Sequence, residues 1–295
     1  MPNWPQNVAA EVETRVEECW TTIDGARMRY LRTGSGPPLV FVHGLMGYSF
    51  SWRFVLPALA TSATVYAVDM LGAGFSDRCP TMDCSFQACA RRLLAFAEKM
   101  DLKSFDLLGT SHGGAVAMSA AAMSVSAPGP TVRRMILVAP VNPWSAHGRS
   151  LAKFLSRRMV SNVFRHVAPR ATRLHGKILR RLYGDPRRIR PGTLEGYSEP
   201  FKLHGTIEYA LRILSTWGDD LKCLETALPK IANIPTLLVW GTLDRAVDLR
   251  SAHTLCRYFR TCRLVEMKGV GHLPYEEAPE EFNKILLDFL NQTPS

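Results

Sequence analysis

The chain has 295 residues, 46% of them hydrophobic, enough for one large globular domain with an insertion or for two domains. No stretch approaches the roughly 18 apolar residues that would cross a bilayer, and Met1-Pro2-Asn3-Trp4-Pro5-Gln6-Asn7 lacks the basic and apolar regions of a signal peptide, so a cytoplasmic protein is expected. The formal charge of +10 is concentrated between Trp144 and Glu225, where sixteen Lys or Arg face seven Asp or Glu. Glu17 to Asp24 alternates in hydropathy and predicts a first strand. Asp24-Gly25 is a hairpin turn signal, with Arg27 to Thr33 as the partner strand. After a break at Gly34-Ser35-Gly36-Pro37-Pro38, Leu39 to Val42 is all apolar, as a strand buried on both faces requires. Phe50 to Ala60 predicts a helix with Pro57 as a kink. Thr64 to Val68 predicts a strand, Phe86 to Met100 a helix and Phe105 to Gly109 a strand. A helix follows from His112, then a strand over Arg133 to Ala139. The next eighty or so residues carry no buried-strand signal. They read as basic amphipathic helices broken at Pro169, Gly184-Asp185-Pro186 and Pro191-Gly192. Strands resume at Thr236 to Trp240 and Arg263 to Met267. Pro279 to Leu290 is a helix with Phe282, Ile285, Leu286 and Phe289 on one face.

Strands and helices alternate across short loops. The expected fold is therefore α/β, a mostly parallel eight-stranded sheet with helices on both faces. Residues 1–141 and 226–295 are expected to form this core, with 142–225 as a helical insertion. Active groups in such sheets sit at the C-terminal ends of strands. His43, Asp69, Ser111, Asp244 and His272 all fall just after apolar runs. The seven cysteines are scattered, with no C-x-x-C, so reduced thiols are expected rather than a disulfide framework or a zinc site.

The pivot is Gly109-Thr110-Ser111-His112-Gly113-Gly114. A strand breaks off at Gly109 and a run of small residues begins at Gly113. A serine at so sharp a strand-to-helix turn takes a strained backbone, with its hydroxyl thrust out of the sheet. Serine alone is a poor nucleophile; it needs a base, and the base needs an orienting group. Gly241-Thr242-Leu243-Asp244 puts a carboxylate after one late strand, and Gly269-Val270-Gly271-His272 puts an imidazole after the next. Asp248 is a rival carboxylate. The order Ser, Asp, His is that of the α/β-hydrolase fold.

With HGLMG (43–47), DMLGAGFSD (69–77), GTSHGG (109–114), GTLD (241–244) and GVGHLPYEEAPEEFN (269–283), the chain resembles the α/β-hydrolase fold serine hydrolases of the esterase type. The resemblance spans nearly the whole core. It implies Ser111 as nucleophile, His272 as general base and Asp244 as its orienter. It also implies that the insertion is a cap over the site. The backbone N–H groups of Leu45 and His112 are expected to form the oxyanion hole. His43 and Asp69 are read as bracing their loops. Acyl transfer by such a set needs no cofactor and no metal, and none is expected. Dehalogenases and epoxide hydrolases of this fold carry an aspartate at the elbow, where this chain has Ser111. Carbon–carbon hydrolases of vinylogous diketo acids use serine, but commonly place a tryptophan after the catalytic histidine, where this chain has Leu273. Carboxylic-ester hydrolysis is thus the first reading and carbon–carbon hydrolysis the alternative. A non-catalytic ligand-binding module on the same fold is the third.

Within the insertion, Leu151, Leu155, Met159, Val163 and Val167 recur every fourth residue, with Lys153, Arg157, Arg158 and Arg165 largely off the stripe. This reads as a helix packing on the core, and alternatively as weak peripheral binding to anionic membrane. No recognition module for nucleic acid is visible, so no nucleic-acid partner is expected; the resemblance implies a small-molecule ester as substrate. Trp144 and Trp217, near the insertion's ends, are candidate pocket residues, with core packing as the other reading. Oligomeric state is left open.

Overall fold

The computed structural model describes residues 15–145 and 172–292. The Leu151–Val167 stripe and the first residues of the chain lie outside that range. Eight strands form one sheet: β1 (Glu17–Ile23), β2 (Ala26–Thr33), β3 (Pro38–Val42), β4 (Thr64–Val68), β5 (Ser104–Thr110), β6 (Thr131–Val138), β7 (Thr236–Gly241) and β8 (Cys262–Met267). Their spatial order is β1-β2-β4-β3-β5-β6-β7-β8. The β1–β2 and β2–β4 pairs are antiparallel and all the others parallel. Asp24 and Gly25 take φ of 51° and 74°, the paired left-handed turn that a two-residue hairpin requires.

Each central strand buries both faces. Val40, Leu107, Leu137 and Leu238 enter one apolar cluster, while their neighbours Leu39, Leu108, Ile136 and Leu237 enter a second. This is the period of two expressed in a sheet covered on both sides. The first cluster is closed by α1 (Phe86–Lys99), α2 (His112–Ser124) and a long helix between β6 and β7, the second by the last helix, Pro279–Leu290. Helix α1 is capped by the Ser85 hydroxyl, which accepts from the Ala88 N–H at 3.2 Å. The predicted Phe50–Ala60 helix is a correction. The chain instead forms a 3₁₀ turn, Ser49–Trp52, and one helical turn, Leu56–Leu59. Pro57 removes a backbone donor there, and i−3 bonds such as Val55 N to Trp52 O (2.8 Å) take over.

Between β6 and β7 the described chain is helical: α3 (Thr172–Leu182), α4 (Thr193–Ser198) and the long α5 (Thr206–Ala227). Tyr209, Ile213, Trp217, Leu221 and Leu224 of α5 join the first core cluster, and Leu179 and Tyr183 join the second. No described helix is long and apolar enough to cross a membrane. After β7 come α6 (Arg250–Cys256), α7 (Pro274–Glu277) and α8 (Pro279–Leu290). Helix α8 buries Phe282, Ile285, Leu286 and Phe289 on one face. The cysteine reading is also corrected, because Cys256 and Cys262 form a disulfide, with Cα atoms 5.7 Å apart. The turn from α6 into β8 brings the two ends together, a closeness that a spacing of six residues does not announce.

Candidate active site

Ser111 occupies the turn between β5 and α2 with φ 52° and ψ −122°, outside the usual region for an L-residue. Three contacts hold it there. Its N–H donates to Val138 O (2.9 Å), and its carbonyl accepts from Gly114 N (3.0 Å) and Val141 N (2.9 Å). The turn closes only because its neighbours are glycines. A Cβ on Gly113 would stand 2.3 Å from His43 O, and one on Gly109 would stand 2.4 Å from Gly113 O. The same closeness brings the 43–47 loop to the serine, since a Cβ on Gly44 would lie 3.2 Å from Ser111 Cβ.

Asp244 and His272 are joined. His272 Nδ1 and Asp244 Oδ2 are 2.8 Å apart, and both side chains are buried. The other carboxylate oxygen accepts from Ala246 N (2.7 Å) and Val247 N (3.0 Å). An ionised carboxylate can only accept, so the proton of the neutral imidazole lies on Nδ1 and the lone pair on Nε2. The loops carrying the pair interlock: Leu243 N donates to Val270 O and Gly269 N to Thr242 Oγ1, each at 2.9 Å. Ser111 follows β5, Asp244 β7 and His272 β8, so all three stand at the same edge of the parallel strands. The Ser111 hydroxyl makes no hydrogen bond among the described residues, so the third link is not closed in this conformation. Such links are often long before substrate binds. The rival Asp248 instead pairs with Arg250 (2.6 Å).

Leu45 and His112, whose N–H groups are the two expected oxyanion donors, stand in the loop after β3 and at the first residue of α2. His43 uses both ring nitrogens: Nδ1 lies 2.8 Å from Gly44 O, and Nε2 accepts from Met70 N at 3.1 Å. It braces the loop. Asp69 does likewise, accepting from Ser49 N (2.7 Å), Phe75 N (3.0 Å) and Arg29 Nη1 (3.0 Å). Trp217 stacks on His112, with centroids 6.2 Å apart, whereas Trp144 stacks on Tyr258 at 4.7 Å. A separate cavity beside Arg78, Met82, Cys84 and Tyr209 includes none of Ser111, Asp244 and His272 in its walls.

Burial pushes the His112 imidazole down to about 3, helped by the nearby His43, and burial lowers His43 as well. The unfolded chain protonates both near 6.5, while the folded chain holds them neutral. Their contribution to stability is therefore present above pH 6.5 and lost as pH falls from 6.5 toward 3. The unfolding free energy from urea titrations is expected to fall by up to about 1.4 kcal/mol per pH unit for His112 between pH 6 and pH 4, with a further loss from His43. His112→Phe should flatten that slope by one proton.

Residues 39–285 match the alpha/beta hydrolase family. The chain belongs to that family. It is 26% identical over 288 residues to the 2-hydroxymuconate semialdehyde hydrolase of Pseudomonas sp. (strain CF600), covering 90% of this chain and 91% of that protein. It is 24% identical over 263 residues to the human monoacylglycerol lipase ABHD6, covering 88% and 77%. Among solved structures, Cfl2 from Burkholderia cenocepacia superposes with a TM-score of 0.81 at 22% identity, covering 94% of this chain and 96% of that one, a likeness of fold.

Two residues of this alpha/beta hydrolase that sequence reasoning missed are Glu276 and Glu277, on α7 just after His272. Glu276 is paired with Arg53, whose Nη2 donates to Oε2 at 2.6 Å, and it accepts from Tyr197 (2.7 Å) and Tyr183 (3.3 Å). Glu277 accepts the N–H groups of Gly271 (2.7 Å), Gly184 (2.9 Å) and Asp185 (2.8 Å). Leu182 O accepts from His272 N at 2.7 Å. The turn that carries His272 is thereby pinned to the chain just beyond α3.

Proposed function

We propose that this hydrolase cleaves carboxylic esters through an acyl-enzyme. Ser111 Oγ attacks the carbonyl, and His272 Nε2 takes its proton and later passes it to the leaving alcohol. Asp244 holds the imidazole in its tautomer and stabilises the imidazolium. The N–H groups of Leu45 and His112 receive the developing oxyanion, a contribution of about 2.7–4 kcal/mol per donor in comparable sites. Water then releases the acid. In this reading the helices between β6 and β7 cap the site. The observation that carries it is the 2.8 Å contact between His272 Nδ1 and Asp244 Oδ2, which leaves Nε2 with the lone pair a general base needs.

The second reading is carbon–carbon hydrolysis of vinylogous diketo acids, favoured by the likeness to the semialdehyde hydrolase. Leu273 after His272 counts against it. The test is turnover of p-nitrophenyl esters of graded chain length against a vinylogous diketo acid of matched size. The ester reading expects kcat/KM to favour the esters. Preference for the diketo acid overturns it.

A further inference from the structure

We propose that the His112 imidazole is a specificity-determining group that hydrogen-bonds an uncharged oxygen of the substrate, a carbonyl or hydroxyl beyond the scissile bond. The inference rests on the ester-hydrolase reading and names a substrate class for it. His112 is 3% exposed, and its Nε2 has no hydrogen-bond partner among the described residues. Its ring lies edge-on to Phe86 (centroids 5.3 Å, 71°) and nearly parallel to Trp217 (6.2 Å, 24°). An apolar ring would fill that aromatic slot with no penalty, while a buried unpaired nitrogen costs free energy and is rare in native proteins.

The orphan sits next in the chain to Ser111, with its ring against Phe86 at the start of α1 and Trp217 of α5. A group arriving with the substrate can supply the missing partner there. Its charge class follows from the surroundings. His112 and His43 are both held neutral by burial, and the ring's aromatic neighbours are uncharged. A carboxylate brought there would lose its water without gaining a countercharge. A neutral imidazole offers one N–H and one lone pair, which suit a carbonyl or a hydroxyl.

The experiment compares matched esters. On the acyl side, p-nitrophenyl heptanoate is set against its 4-, 5- and 6-oxo forms. On the alcohol side, butyl hexanoate is set against 3-hydroxypropyl hexanoate. At least one oxygen-bearing member is expected to exceed its plain partner in kcat/KM by about tenfold, the yield of one buried hydrogen bond. In His112→Phe that preference should shrink to within about twofold, and in His112→Gln, whose amide again offers a donor and an acceptor, it should return. The inference is overturned if no oxygen-bearing ester is preferred, if His112→Phe keeps the preference, or if both members of each pair lose rate equally, which would mark a packing role. A fluorophosphonate probe on Ser111 separates the two levels. Labelling with plain-ester turnover but no oxygen preference defeats this inference alone, whereas no labelling and no ester turnover defeats the ester reading and this inference with it.

Discussion

Ser111→Ala is expected to lower kcat for p-nitrophenyl esters by on the order of 10⁴–10⁶, because members of a nucleophile–base–acid set act as a unit. The loss should be chemical rather than structural. The Ser111 side chain caps nothing in α2. The strained backbone at this turn is held by main-chain bonds from Val138, Gly114 and Val141 that alanine retains. Alanine at φ 52° carries strain of the same kind as serine. The unfolding free energy should therefore stay within about 0.5 kcal/mol of wild type, as for substitutions that remove no packing or buried partner. Labelling by a fluorophosphonate should vanish. A variant that keeps most of its rate would remove Ser111 from the chemistry.

The second large effect concerns stability. Glu276→Ala is expected to cost about 3–5 kcal/mol, the usual result of stripping one partner from a buried ion pair. Arg53 is 2% exposed and Glu276 fully enclosed, so the remaining guanidinium would have no route to water. Burial opposes the Arg53 charge and Glu276 restores it, with a net rise in the guanidinium's proton affinity. The Arg53 Nη2 bond to Thr193 Oγ1 (3.0 Å) and the Nη1 bond to Phe50 O (3.1 Å) do not replace a carboxylate. The double variant Arg53→Met/Glu276→Leu should recover most of the loss, since apolar substitutes of similar volume remove the desolvation penalty. Urea denaturation of the single and double variants checks this. A double variant no better than Glu276→Ala would show that the network's hydrogen bonds, and not its stranded charge, set the cost.

Periodicity carried most of the fold. The strand read as Thr236 to Trp240 runs to Gly241, and the helix read over Pro279 to Leu290 has those bounds. Both segments have faces that the core alone decides. The elbow and the Asp244–His272 pair were legible because glycines and strand ends are local signals. What escaped was non-local. Glu276 and Glu277 sit among Pro, Tyr and further glutamates, and by sequence alone such a run reads as a solvated helix start. Their burial depends on Arg53 and on the 183–197 chain, more than 75 residues away in sequence. The 256–262 disulfide depends in the same way on how one turn folds back. The Phe50–Ala60 segment differs for the opposite, local reason: Pro57 breaks the helix there and does not merely kink it.

The bonds from Leu182, Gly184 and Asp185 to the His272 turn bear on any attempt to retool the enzyme. Grafting a foreign segment onto this scaffold with its splice point at 182–185 would shift His272 along with it. Chimeras that leave those four residues, Thr193, Tyr197, α5 and α7 untouched, and exchange chain only upstream of α3, should alter substrate range while sparing the Asp244–His272 pair.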